Sequence, residues 1–244
     1  MITKLHIQNF KCLRDVSVEL EPFTVLIGKN DTGKSSLLEA IHTLSGLVQA
    51  TSPSVPLEQL AWRGVVPPWI QWKADVAATP PSRLLGKATY QLRVSLSIEG
   101  ADISTEPQEP AVSVASGLAA SMMGRLDAER LDPKQGPAIL LIEEPENGVH
   151  PHQLQRVARC LEGLTDPARG ENAVQVITVT HSPYFLDFVD PGSVLVFGRK
   201  PNGETVIAPL LDLSGVRKRL ESGFRLGEMW FNVGEDKLLA EFLE

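Results

Sequence analysis

The chain has 244 residues, 43% of them hydrophobic and 22% charged, with a formal net charge of −7. A chain of that length can bury one sizeable core, and its acidic balance argues against a surface uniformly adhesive to nucleic acid while leaving room for a local basic patch. The longest purely apolar run, 138–142, is too short to span a bilayer, no charged-then-apolar leader opens the sequence, and Cys12 and Cys160 have no metal spacing, so free thiols and a cytoplasmic location are expected.

Ile2, Leu5 and Ile7, then Val16, Val18 and Leu20, alternate as two half-buried strands. The run 22–27 is apolar and rich in β-branched residues, as a buried strand requires. Gly28-Lys29-Asn30-Asp31-Thr32-Gly33-Lys34-Ser35 follows, a complete GxxxxGK[ST] phosphate-binding loop. Its glycines let backbone N–H groups turn inward toward phosphate oxygens, Lys34 supplies a point charge for the β/γ-phosphates, and Ser35 offers a hydroxyl to Mg²⁺. Leu37, Leu38, Ile41, Leu44 and Val48 recur at helical spacing, so a helix starts near Lys34 and points its positive end at the same anion.

Residues 51–68, rich in Pro and Ser, read as loop. The segments 69–76 and 90–98 read as strands, the second with cleaner alternation, and fit an antiparallel subsheet beside the nucleotide site. From 100 to 112 the chain is acidic, contains Pro107 and Pro110, and reads as an exposed link; a small-residue helix is expected over 116–131. Next come a buried parallel strand at 138–142, a helix from His150 or Pro151 to about Gly163, and strands at 174–180 and 194–197. This alternation predicts a single α/β domain over 1–244 with a mainly parallel sheet. Residues 1–100 and 138–244 would form the nucleotide-binding core with its subsheet, and 101–137 a small helical lobe. The clusters Arg199-Lys200 and Arg217-Lys218-Arg219 read as solvated faces.

An apolar strand ending in Glu143-Glu144-Pro145 is what a P-loop ATPase needs opposite its glycine-rich loop. Glu143 would sit near Mg²⁺ through a metal-bound water, and Glu144 would polarise the attacking water. His181 follows the strand at 174–180 and so falls on the same sheet edge, where a neutral imidazole can hydrogen-bond the γ-phosphate. His150 and His152 lack carboxylate partners, and no zinc site is expected there.

The opening segment 2–11 resembles the first strand of ATPase heads of the RecF, SMC and OLD type. The stretch Glu143-Glu144-Pro145-Glu146-Asn147-Gly148-Val149-His150-Pro151 looks like the Walker B and D-loop of OLD-like ABC ATPases. Thr180-His181-Ser182-Pro183 resembles their switch-histidine loop, and 225–230 a tail segment of their stand-alone members. The resemblance implies an ABC-type head that binds ATP and Mg²⁺ and sandwiches two ATP molecules between two copies. It adds Lys11 and Ser36 to the nucleotide contacts and makes Asn147, Gly148 and His150 the D-loop. The signature normally reads like LSxG; this chain offers only Ser113, Ser116 and Gly117 as candidates. For the Q-loop glutamine, Gln59 and Gln71 both remain open.

Lys34 and Glu143 are 109 positions apart, too close for a coiled-coil arm. The chain ends soon after the tail segment, so a Toprim-type nuclease or other effector is expected on a separate chain. The leading expectation is an ATP-dependent homodimerising ATPase that acts with DNA or with such an effector in DNA repair or phage defence. The alternatives are the nucleotide-binding subunit of a transporter and an ATP-binding regulatory module that does not hydrolyse.

Overall fold

Two sheets are formed by ten strands among the residues that the computed structural model describes, 1–48, 56–77, 89–97, 100–107 and 139–233. The first sheet is antiparallel throughout. It comprises β1 (Ile2–Phe10), β2 (Leu13–Glu19), β4 (Trp69–Ala77), β5 (Thr89–Ser97) and β6 (Gly100–Pro107), in the order β2-β1-β4-β5-β6. The second comprises β3 (Phe23–Gly28), β7 (Ile139–Glu143), β8 (Gln175–Val179), β9 (Val194–Arg199) and β10 (Thr205–Pro209), in the order β10-β9-β3-β8-β7. There β3 runs parallel to β8 and β9, β7 runs parallel to β8, and only β10 is antiparallel. The expected α/β architecture, with a mainly parallel sheet and an antiparallel subsheet, is therefore present.

Burial explains why the parallel strands read as continuous apolar runs. Every residue of β3 and β8 is buried, because a parallel sheet is covered on both faces. Successive side chains of a strand point to opposite faces. Leu26, Ile177, Val179, Leu195 and Phe197 accordingly join a core that includes the first sheet and α1 (Lys34–Val48). Val25, Ile27, Val176, Val194 and Val196 join a second core. That core is closed by α3 (Leu154–Leu164), α4 (Pro183–Leu186), α5 (Val216–Glu221) and α6 (Leu226–Val233). A buried side chain helps tie the two sheets: Gln175 accepts from the Ile2 N–H at 2.8 Å and donates to the Ile2 carbonyl at 2.7 Å and the Glu21 carbonyl at 3.3 Å, while Thr205 N–H donates to Cys12 O at 3.1 Å and Arg14 pairs with Glu204.

Two stretches depart from the reading of the sequence. The loop expected over 51–68 contains one helical turn, α2 (Leu57–Leu60), and Ala61 bridges Phe10. Trp62 N–H donates to Asn9 O at 2.7 Å, so this segment is stitched to the end of β1. The acidic link expected from 100 is instead strand β6, registered residue by residue on β5 from Ser97↔Gly100 to Tyr90↔Pro107. Acidity and Pro107 suggested an exposed link, but an edge strand tolerates charge, and proline at its end costs no ladder bond. The boundary drawn at 100 therefore falls inside a hairpin. The expected helix at 116–131 lies outside the described residues, as do the signature candidates Ser113, Ser116 and Gly117.

Candidate nucleotide site

The parallel strands β3, β7, β8 and β9 all end on one edge of the second sheet, and each delivers a polar group there, as open α/β sheets do at ligand sites. From β3 the chain enters the glycine-rich loop. Gly28 (φ +149°) and Gly33 (φ +104°) take backbone conformations that a side chain would oppose. A Cβ on Gly33 would lie 2.5 Å from Thr205 Oγ1 and 2.9 Å from Cys12 Sγ, and one on Gly28 would lie 2.5 Å from Phe197 O.

The loop is braced from within and without. Thr32 Oγ1 donates to Lys29 O at 2.8 Å, and the buried Lys34 ammonium donates to Gly28 O at 2.7 Å and Lys29 O at 2.5 Å. Thr205 Oγ1 donates to Thr32 O at 2.8 Å from β10, and Arg199 Nη1 donates to Asp31 O at 3.0 Å from the end of β9. The helix α1 begins at Lys34, with its Leu37 N–H on Gly33 O at 2.9 Å, so its N-terminal turn faces the loop.

A cavity of about 600 Å³ opens over this edge. Asn30, Asp31, Gly33, Lys34, Ser35 and Ser36 line it from the loop and helix start; Glu143, Glu144 and His181 line it from β7 and β8. Lys11 lines it from the turn after β1 and is ion-paired with Glu39 of α1. Of the residues expected at the nucleotide, Gly28, Lys29 and Thr32 do not line this cavity, and Cys12, Val179 and Arg199 line it without having been expected. Arg199 belongs to a cluster read as a solvated face, and its bonds to Asp31 and to Gly203 O at 3.2 Å make it a clamp on the loop. Its placement at the end of an apolar strand was the available signal.

Lys11, Cys12 and Arg199 also line an adjoining cavity of about 770 Å³. Its other walls are Glu58, Gln59, Ala61, Trp62 and Arg63 on one side and Asn202 and Gly203 on the other. Gln59 is thus a neighbour of the phosphate cavity but does not line it. Gln71 lies within β4 and donates to Ser95 Oγ at 3.1 Å, also away from that lining.

Glu144 occupies the left-handed region (φ +51°) at the exit of β7, with its N–H on Val179 O at 2.8 Å. The chain then turns tightly, Asn147 N–H donating to Glu144 O at 2.9 Å and Val149 N–H to Glu146 O at 3.0 Å. Asn147, Gly148 and His150 are surface positions on this turn and its continuation; none of them lines the phosphate cavity. His150 caps the short turn of helix that follows, accepting from His152 N–H, and the two imidazoles stack with centroids 5.1 Å apart. The turn also carries Glu146, which the sequence did not single out and which reaches the histidine loop.

Oxygen donors suited to a hard divalent cation, the Ser35 hydroxyl and the Glu143 carboxylate, line one cavity with the Lys34 ammonium. That donor chemistry fits Mg²⁺ beside a polyphosphate.

Parts of the chain are similar to known proteins. Residues 1–55 match the AAA ATPase domain family and 125–187 the family described as AAA domain, putative AbiEii toxin, Type IV TA system. The chain is 36% identical over 24% of its length to the OLD nuclease of Thermus scotoductus and 31% identical over 39% to the DNA replication and repair protein RecF of Limosilactobacillus reuteri. It covers only 11% and 23% of those two proteins. It is also 29% identical to the phosphate import ATP-binding protein PstB 1 of Streptococcus agalactiae, over 64% of this chain and 71% of that one. The fold is that of an SMC head, solved bound to the C-winged helix domain of ScpA: TM-score 0.57 at 12% identity, covering 86% of this chain and 98% of the other. The fold is that of ABC-type P-loop ATPase heads. In sequence the chain is similar, over parts of its length, to OLD and RecF proteins and to a transporter ATPase.

Proposed function

We propose that this chain binds ATP with Mg²⁺ in the 600 Å³ cavity and hydrolyses the γ-phosphate, and that two ATP-bound copies associate as a switch. The observation that carries this reading is the convergence of Lys34, Ser35, Glu143, Glu144 and His181 on one cavity from three separate elements, the start of α1 and the ends of β7 and β8. Lys34 would neutralise the β/γ-phosphates, with the loop N–H groups and the start of α1 orienting them. Ser35 and Glu143 would hold Mg²⁺, whose charge offsets that of the phosphates. Glu144 would accept a proton from the attacking water, and His181 would hydrogen-bond the γ-phosphate. The adjoining cavity would take ribose and base, with the Trp62 indole as the aromatic surface beside them.

The surface positions Asn147, Gly148 and His150 would face the second copy. By likeness to the OLD and RecF proteins, the switch would act with DNA or with a separate Toprim-type nuclease or effector, in the cytoplasm, in DNA repair or phage defence. Among the described residues no helix is long and apolar enough to cross a membrane. The likeness to PstB 1 over 64% of the chain supports a second reading, the ATP-binding subunit of a transporter. A neighbouring gene encoding several membrane spans would favour it.

The test is light scattering of Glu144→Gln with ATP and Mg²⁺, alongside phosphate release by the unaltered protein with and without double-stranded DNA. A stable dimer of the variant and DNA-stimulated turnover of the unaltered protein are expected. A variant that stays monomeric at saturating ATP would sink the switch.

A further inference from the structure

Glu143 and Glu144 approach the cavity from β7, and His181 approaches it from β8, through two loops that are separate in sequence. One side chain joins them. Glu146 Oε1 accepts from Thr180 Oγ1 at 2.7 Å, from His181 N–H at 3.1 Å and from Ser182 N–H at 3.1 Å. Three donors from consecutive residues converge on one carboxylate oxygen, and charge-assisted bonds of this kind are about twice as strong as neutral ones. Glu146 Oε2 is shut away from solvent. Ser182 N–H also reaches Thr180 Oγ1 at 3.0 Å, and Ser182 Oγ caps α4 through Phe185 N–H at 3.3 Å.

The turn that delivers Glu146 is itself pinned. Glu144 is anchored on Val179 O, and the bonds from Asn147 to Glu144 and from Val149 to Glu146 close the chain around it. The backbone of His181 is thus held by the segment that carries Glu144, while its imidazole remains exposed at the cavity.

We infer that Glu146 is a positioning residue, fixing the His181 backbone to the carboxylate loop so that Glu144 and His181 meet the γ-phosphate as one unit. The inference rests on the ATPase reading above for its kinetic consequence, but its structural content is independent of it.

The experiment combines turnover with amide hydrogen exchange for Glu146→Ala, Glu146→Gln, His181→Ala and the Glu146→Ala/His181→Ala pair. Glu146→Ala should lower kcat for ATP by about 100-fold, the scale of a 1 Å misplacement at a reacting centre, with KM for ATP little changed. Glu146→Gln keeps the chain length and one acceptor oxygen, and should fall between Ala and the unaltered protein. In the His181→Ala background Glu146→Ala should cost little more, since a residue acting through His181 has nothing left to position. The His181 and Ser182 amides should exchange faster in Glu146→Ala while the amides of β3 and β8 stay protected, a local signature that general destabilisation would not give.

An equal loss from Glu146→Ala with and without His181, or unchanged protection of the His181 and Ser182 amides, overturns the inference. Absence of turnover in the unaltered protein under every condition counts against the ATPase reading alone, and the amide protection then decides the role of Glu146.

Discussion

The two halves of the phosphate cavity are built on different plans. The glycine-rich half is one contiguous stretch, Gly28 to Ser36, held by bonds among its own residues and by two clamps from β9 and β10. The carboxylate–histidine half is assembled from two loops more than thirty residues apart, joined through Glu146. In the proposed ATPase the first plan would suit binding, with the loop N–H groups and one ammonium meeting the polyphosphate. The second suits chemistry, because the relative placement of Glu144 and His181 must be controlled. In the proposed ATPase, damage to the first half should abolish affinity and damage to the second should abolish turnover.

Lys34→Ala should break the comparison most severely. Loss of the ammonium is expected to remove ATP binding and to lower turnover by about 10³-fold, read by calorimetry and phosphate release. Glu144→Gln is expected to lower kcat by between about 10² and 10⁴ while ATP affinity stays within a few-fold. If its affinity fell as far as its turnover, the division of labour between the halves would be wrong.

Gly33→Ala tests the shape of the first half. The left-handed backbone and the approach of Thr205 and Cys12 should together cost about 1–3 kcal/mol. That corresponds to a loss of ATP affinity of about 5- to 150-fold, with kcat at saturation largely retained. Arg199→Ala removes one brace and should raise KM by only a few-fold, on the scale of about 1 kcal/mol for a single hydrogen bond.

The smallest effect lies outside both halves, where Arg14 is ion-paired with Glu204. The Arg14 hydrogen bond, then that of Asn202, with the charges of Arg14 and Lys200, holds the Glu204 carboxyl below the usual glutamate range. A carboxyl lowered in the folded state stabilises it at neutral pH, and that contribution is lost as pH falls through the lowered value. Arg14→Ala should therefore move the Glu204 titration back up, seen by NMR, and leave turnover at neutral pH unchanged.

Much of this was legible in the residues. A contiguous motif between an apolar strand and a periodic helix identifies itself, and so do carboxylates and a histidine that end apolar strands. Arg199 and Glu146 were not legible, for the same physical reason. Each acts through hydrogen bonds to backbone atoms far away in sequence, Asp31 O in one case and His181 N in the other, and no spacing rule encodes such a partner. Strand β6 was misread because its composition reflects its place at a sheet edge, where charge is tolerated. Gln175 is one polar residue in an apolar run, and its partner, the Ile2 backbone, lies far away in sequence.

That glutamine opposes shear between the two sheets at the start of β8. Its amide grips both the N–H and the carbonyl of Ile2, so a slide of the first sheet along the second by one residue breaks a two-point contact in a fully buried place. A buried amide left without partners costs about 1–3 kcal/mol for each group, which makes partial slippage unfavourable.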